Sequence, residues 1–109
     1  VSGDPDSDNL MSYLLLTRHP EDPAALREAL RLLQRARATL PQEASPALRA
    51  SVSTTRALLE WRLGRPETAL KLQQEATELW GKAGNSAAEK NSRERETFYR
   101  TVVELGRTR

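Results

Sequence analysis

The chain has 109 residues and no Cys, which excludes disulfides, thiolate catalysis and Cys-type zinc sites. Hydrophobic residues make up 38% and aromatics 5%, so a core must come mainly from Leu, Ala and Val, residues that favour helical packing over sheets when β-branched types are few. A formal net charge of +2 falls far short of the dense basic footprint of a nucleic-acid-binding domain.

Residues 1–9, VSGDPDSDN, are polar and acidic, and read as a flexible tail or a tether. The chain opens at Val1 with no Met and no signal peptide, so a processed form is expected. A single helical domain is expected over 10–105, with 106–109 frayed. Leu10 to Thr17, LMSYLLLT, predicts a short helix capped by Asp8 or Asn9. Two prolines, Pro20 and Pro23, bracket the turn that follows.

Asp22-Pro23 is a cap followed by a first-turn proline, and opens a helix to about Leu40. Leu26, Ala29, Leu30, Leu33, Ala36 and Leu40 define its apolar face. Arg27, Arg31 and Arg35 form a stripe expected to face solvent. Ser45-Pro46 repeats the same opening for a third helix reaching Leu63. Leu48, Val52, Leu59 and Leu63 make one apolar face, while Leu58 and Trp61 make a second. A helix apolar on two sides is central or lines a groove.

Gly64-Arg65 is the turn into a fourth helix from Pro66 to about Lys82, with Gly64 as the left-handed residue and Pro66 as the first helical one. Ala69, Leu70, Leu72, Ala76, Leu79 and Trp80 fall in its apolar arc. Ser86 and Glu89 have capping-box spacing for a fifth helix to about Leu105. The second half of that helix can bury Phe98, Tyr99, Val102, Val103 and Leu105. The first half, Glu89 to Thr97, is almost wholly polar. It is expected to stand free of the core or to meet another chain, which makes Arg93, Glu94 and Arg95 candidates for an outer contact.

Residues 28–40 align without gaps on residues 68–80, pairing Ala29 with Ala69, Leu30 with Leu70, Leu32 with Leu72, Gln34 with Gln74 and Ala36 with Ala76. Such a period marks stacked helical hairpins. In its small residues the chain resembles the tetratricopeptide repeat family. Ala57, Gly64, Ala69 and Ala76 stand at that family's spacing, as do Ala29, Ala36 and Pro41 in the earlier unit. Ser53, Arg56, Glu60 and Gln73 depart from it, since bulky apolar residues are usual there. The resemblance implies an all-α fold, a stack of helical hairpins with about five helices. It also implies a concave surface lined by the first helix of each hairpin, here Ser51, Thr54, Leu58, Trp61 and Arg62. Against that, Leu58 and Trp61 could simply pack on the first or fifth helix.

No catalytic arrangement is visible. The one His, His19, lies in a turn and makes neither a metal cage nor a triad. The five glycines are scattered and form no phosphate loop. Arginines gather near the C-terminus, but Glu89, Glu94, Glu96 and Glu104 interleave with them as in a salt-bridged face. No apolar run approaches the roughly 18 residues of a membrane helix. The expectation is a non-enzymatic protein–protein interaction module, an adaptor or assembly factor, with no metal or other cofactor. Its partner would be a protein, a peptide or a second copy of the chain. Two alternatives are a small envelope lipoprotein domain of secretion or assembly type, tethered by residues 1–9, and a basic nucleic-acid-associated helical protein. The compartment stays open.

Overall fold

A computed structural model of the chain describes residues 4–107. Five helices follow one another: α1 (Pro5–Arg18), α2 (Pro23–Thr39), α3 (Pro46–Arg62), α4 (Pro66–Lys82) and α5 (Ser86–Arg107). No strand occurs among the described residues. Helix α1 packs on α2, α3 on α4 and α4 on α5, while α1 and α2 also rest on α3. The chain is therefore a stack of antiparallel helical hairpins in which the central helix, α3, touches both sides. The thin dimension of 20 Å corresponds to two layers of helices at an interaxial spacing of about 10 Å.

Four helices open on proline. At α1, α2 and α3 the preceding residue caps: the side chains of Asp4, Asp22 and Ser45 accept from Asp6 N–H, Ala24 N–H and Leu48 N–H. The pattern at Asp4-Pro5 is the one recognised at Asp22-Pro23. It begins α1 at Pro5, so residues 5–9 are helical, and only 1–3 of the expected tail lie outside the described residues. The expected cap residues, Asp8 and Asn9, are instead buried one turn inside the helix. At the other end Gly106 and Arg107 continue α5, and 108–109 lie outside the described residues.

The joints α3–α4 and α4–α5 are the same turn made twice. Gly64 (φ +82°) and Gly84 (φ +72°) adopt the left-handed conformation that a Cβ disfavours. In the first, Arg65 N–H bonds Glu60 C=O and Gly64 N–H bonds Trp61 C=O. In the second, Asn85 N–H bonds Trp80 C=O and Gly84 N–H bonds Gly81 C=O. Both close the helix with the paired bonds of a Schellman motif. Asn85 rather than Ser86 caps α5, its side chain accepting from Ala88 N–H at 3.0 Å.

The core follows the small residues. Ala29, Ala36, Ala50, Ala57, Ala69 and Ala76 are all fully buried, which lets paired helices approach closely. Leu16, Ala29, Leu33, Val52, Leu58 and Leu59 form one apolar cluster, with Tyr13, Leu15, Leu26, Leu48 and Trp61 against it. A second joins Ala57, Ala69, Leu72 and Tyr99. The apolar arcs read from sequence err at their edges: Leu30, Leu63, Phe98 and Leu105 are exposed, and Leu32 is buried in place of Leu30.

Two polar contacts complete the stack. Arg35 donates from Nε and Nη2 to both carboxylate oxygens of Asp8, at 2.7 and 2.8 Å. That bidentate pair ties α1 to α2, so Arg35 is not part of a purely solvated stripe. It also holds the Asp8 carboxyl below the ordinary aspartate range. Ser12 adds a buried hydroxyl bond to Ala29 C=O at 2.8 Å.

The polar half of α5 corrects the expectation that it stands free of the core. Ser92 is buried, and it meets Gln73 and Thr77 of α4. Gln73 Nε2 donates to Ser92 Oγ at 2.7 Å, the Ser92 and Thr77 hydroxyls lie 2.6 Å apart, and Thr77 donates to the Glu96 carboxylate. A polar helix face can join a core when the facing helix supplies matching donors and acceptors.

Candidate functional site

Helices α1 and α3 are the first members of the two hairpins, α5 follows them as an unpaired last helix, and a trough runs between α1 and α5 with α3 as its floor. One of its two chambers is a cavity of about 360 Å³. Asp6, Asn9, Leu10 and Tyr13 of α1 form one wall, and Ala88, Asn91, Ser92 and Arg95 of α5 form the other. Ser51 and Thr54 of α3 lie on the floor, with Gln73 and Trp80 reaching in from α4. A second chamber, of about 440 Å³, continues past Asn91 and Arg95, which line both, to Leu58, Trp61, Glu94, Phe98 and Tyr99.

The trough thus has a polar end and an apolar end. At the apolar end the ring centroids of Trp61 and Phe98 stand 5.2 Å apart, edge to face, and Phe98 meets Tyr99 at 5.7 Å. Such aromatic geometry fixes ring positions beyond simple burial. Tyr99 is almost wholly enclosed, and burial pushes its hydroxyl above the ordinary tyrosine value, partly offset by the Arg95 guanidinium. The Arg62 guanidinium lies over the Trp61 ring, 4.4 Å from its centroid, a cation–π arrangement.

Of the groove residues read from sequence, Ser51 and Thr54 line the polar chamber, and Leu58 and Trp61 line the apolar one. Leu58 and Trp61 serve two purposes there. Both pack into the core, and Trp61 stacks with the α5 aromatics, yet both still border the trough. Arg62 borders it only through its contact with Trp61. Of the outer-contact candidates, Arg93 and Glu94 are exposed, with Arg93 paired to Glu89 at 2.6 Å. Glu94 also borders the second chamber, and Arg95 lines both chambers, its Nη2 donating to the Tyr13 hydroxyl at 3.4 Å.

Asn9, Asn91 and Gln73 were not singled out as site residues. Asn9 sat in a stretch read as tail, and Asn91 in one read as outward-facing. Gln73 was visible as a polar residue at a position where the resembled family has a large apolar one.

Four buried side-chain atoms have no protein hydrogen-bond partner among the described residues: Asn9 Oδ1, Thr54 Oγ1, Gln73 Oε1 and Arg62 Nε. The first three belong to residues lining the polar chamber. Five ion pairs lie elsewhere among the described residues. Arg31, Arg35, Arg65, Arg93 and Arg100 each lie within 4 Å of a carboxylate. Among the described residues no helix is long and apolar enough to cross a membrane, and no group of three His, Asp or Glu is placed to hold a metal. No protein family, characterised protein or solved structure matches the chain.

Proposed function

We propose that this chain is a non-enzymatic protein-interaction module, an adaptor or assembly factor, that holds a segment of a partner protein in the trough between α1 and α5. The observation that carries this is a continuous trough with two chemistries side by side. Asp6 and Ser51 bring polar groups to one end, Asn91 and Arg95 border both chambers, and Leu58, Trp61 and Phe98 offer apolar contact at the other end. An extended peptide presents both kinds of group in alternation, and pockets for successive side chains give it register. The stacked hairpins and their alanine contacts support the likeness to tetratricopeptide repeats, which we retain as part of this reading.

The test is capture of partners by the wild-type chain and by Asn91→Trp. Asn91 is exposed and borders both chambers, so the larger side chain obstructs the trough without entering the core. A partner held by wild type and lost by Asn91→Trp, with an unchanged helical circular dichroism spectrum, supports the trough. Equal capture by both chains overturns it, and salt-sensitive binding to duplex DNA alone would favour the nucleic-acid reading.

A further inference from the structure

The two chambers of the trough meet at Asn91 and Arg95, which line both. Opposite them stands Tyr13, which accepts from Arg95 Nη2 at 3.4 Å in the one hydrogen bond between α1 and α5 among the described residues. That length lies beyond the usual range for an N–H···O bond, so the contact is weak. Among the described residues Arg95 is the one cation on the lining of the two chambers, and it is half-buried. No carboxylate of the described residues lies within 4 Å of it, unlike Arg31, Arg35, Arg65, Arg93 and Arg100. Its Nε and Nη1 bond to no protein group, and neither is among the enclosed unpaired atoms, so both are open to solvent.

Hydrogen-bond capacity at this waist is one-sided. A guanidinium only donates. The Tyr13 hydroxyl accepts from Arg95 and has no protein acceptor for its own proton. Burial raises the pKa of the nearby Tyr99 hydroxyl, and Arg95 is close enough to oppose that. The carboxylates on the lining, Asp6 and Glu94, are exposed and solvated by water. The guanidinium has lost part of its hydration and has no counter-charge. Beside it Phe98 is 47% exposed, so its ring presents reachable apolar surface in the second chamber.

We infer that the waist of the trough binds the carboxylate of an Asp or Glu side chain on the bound peptide, with a large apolar side chain next to it in the second chamber. This rests on the peptide-binding reading and names what the partner presents. A carboxylate accepts from the guanidinium in a bidentate fork and can also take the Tyr13 proton. It brings a single negative charge to a single cation. A phosphate would add a second charge near Glu94 with no cation to match it. An ammonium would meet Arg95 with like charge, and a carboxamide would leave the half-buried cation without a counter-charge.

The test uses N-acetyl methylamides of glutamate, glutamine, phosphoserine and lysine, titrated into the 15N-labelled chain at fixed ionic strength. Capped glutamate should saturably shift the Arg95 Nε–H signal, and capped glutamine, its uncharged isostere, should require about tenfold more or greater. With the Trp61 indole N–H as reporter, Arg95→Gln should abolish that preference and Tyr13→Phe should reduce it. Tyr13→Phe removes only a hydroxyl, so it remains informative if Arg95→Gln does not fold. The second arm is an array of random peptides, acetylated and amidated so that only side chains carry charge. Sequences held by wild type and lost by Asn91→Trp should share Asp or Glu beside a large apolar residue, and should weaken as salt rises. Equal affinity for capped glutamate and glutamine overturns the site, as does the absence of any saturable shift, the result expected if water alone solvates Arg95. Tighter binding of capped phosphoserine or lysine overturns the carboxylate assignment. Peptides held in the trough without an acidic residue overturn the site and leave the peptide reading standing. Selective binding of capped glutamate with no retained peptide supports the site and overturns the peptide reading.

Discussion

Toward α3, helix α4 presents Ala69, Leu72 and Ala76; toward α5 it presents Gln73 and Thr77. The two faces share one helix and end in the same kind of glycine turn, at Gly64 and Gly84. The first contact is held by close approach of small side chains, which any buried surface of that shape supplies. The second is held by an ordered run of donors and acceptors, in which each group is satisfied only if the next is present. The first kind of contact tolerates chemistry and is sensitive to volume. The second tolerates little change in chemistry.

Volume should break the first contact hardest. Ala69 and Ala76 are fully enclosed, so Ala69→Leu or Ala76→Leu should destabilise the chain by roughly 1–3 kcal/mol. In a domain of this size that lowers the thermal midpoint by about 4–8 °C per kcal/mol, and melts that match wild type would show that the helices do not meet there.

Chemistry should break the second. Ser92→Val replaces the hydroxyl with apolar atoms and strands the Gln73 amide nitrogen, while the Thr77 hydroxyl keeps its bond to the Glu96 carboxylate, so a loss of about 1–3 kcal/mol is expected. Replacing both partners, as in Gln73→Leu with Ser92→Val, should recover part of it, because no donor is then left unpaired. A double variant as damaged as the sum of the singles would mean that the two residues act independently.

The turns provide a common reference for both contacts. A Cβ at Gly64 or Gly84 meets open space, so Gly64→Ala and Gly84→Ala isolate the backbone term, roughly 1–2 kcal/mol by urea titration and similar at both sites. A much larger loss at one of them would reveal that its helix pair tolerates less distortion.

The Asp8–Arg35 pair, on α1 and α2, should give the smallest effect, and one that depends on pH. Its carboxyl is depressed in the folded chain, chiefly by the hydrogen bonds from Arg35, so its stabilisation is fully present above the unfolded value of 3.8. It is lost as pH falls through the lower folded value. Asp8→Asn should therefore be less stable than wild type at pH 7, and the gap should close below pH 3.8. A gap that persists in acid would assign the difference to packing.

The same contrast explains what the sequence discloses. Ala57, Ala69 and Ala76 recur at helical spacing, so the α3–α4 hairpin and its glycine turn were legible, as were the proline-opened starts of α2, α3 and α4. Periodicity records only burial of apolar groups. The start of α1 escaped because Asp6, Ser7, Asp8 and Asn9 follow the cap, and the partner that makes burial of Asp8 acceptable, Arg35, lies on another helix. Ser92 and Glu96 likewise read as outward-facing until Gln73 and Thr77 stand opposite them. For the site, the floor residues Ser51 and Thr54 follow from the repeat resemblance, whereas the walls do not. Asn9 and Arg95 come together with them only when α1 and α5 are set on either side.

Each hairpin in this stack joins helices that are neighbours in the chain, with only short turns between them. Little loop entropy has to be surrendered before native contacts begin to form, so a low contact order and fast folding, in the microsecond-to-millisecond range, are expected. Growth from either end is then possible. The α3–α4 pair, closed by Gly64 and lined with alanine, can form early, while the hydroxyl chain to α5 must wait until all its members are in place. A stopped-flow or temperature-jump measurement on Ala69→Gly and Ser92→Ala would show this order in time, the first slowing folding and the second chiefly speeding unfolding.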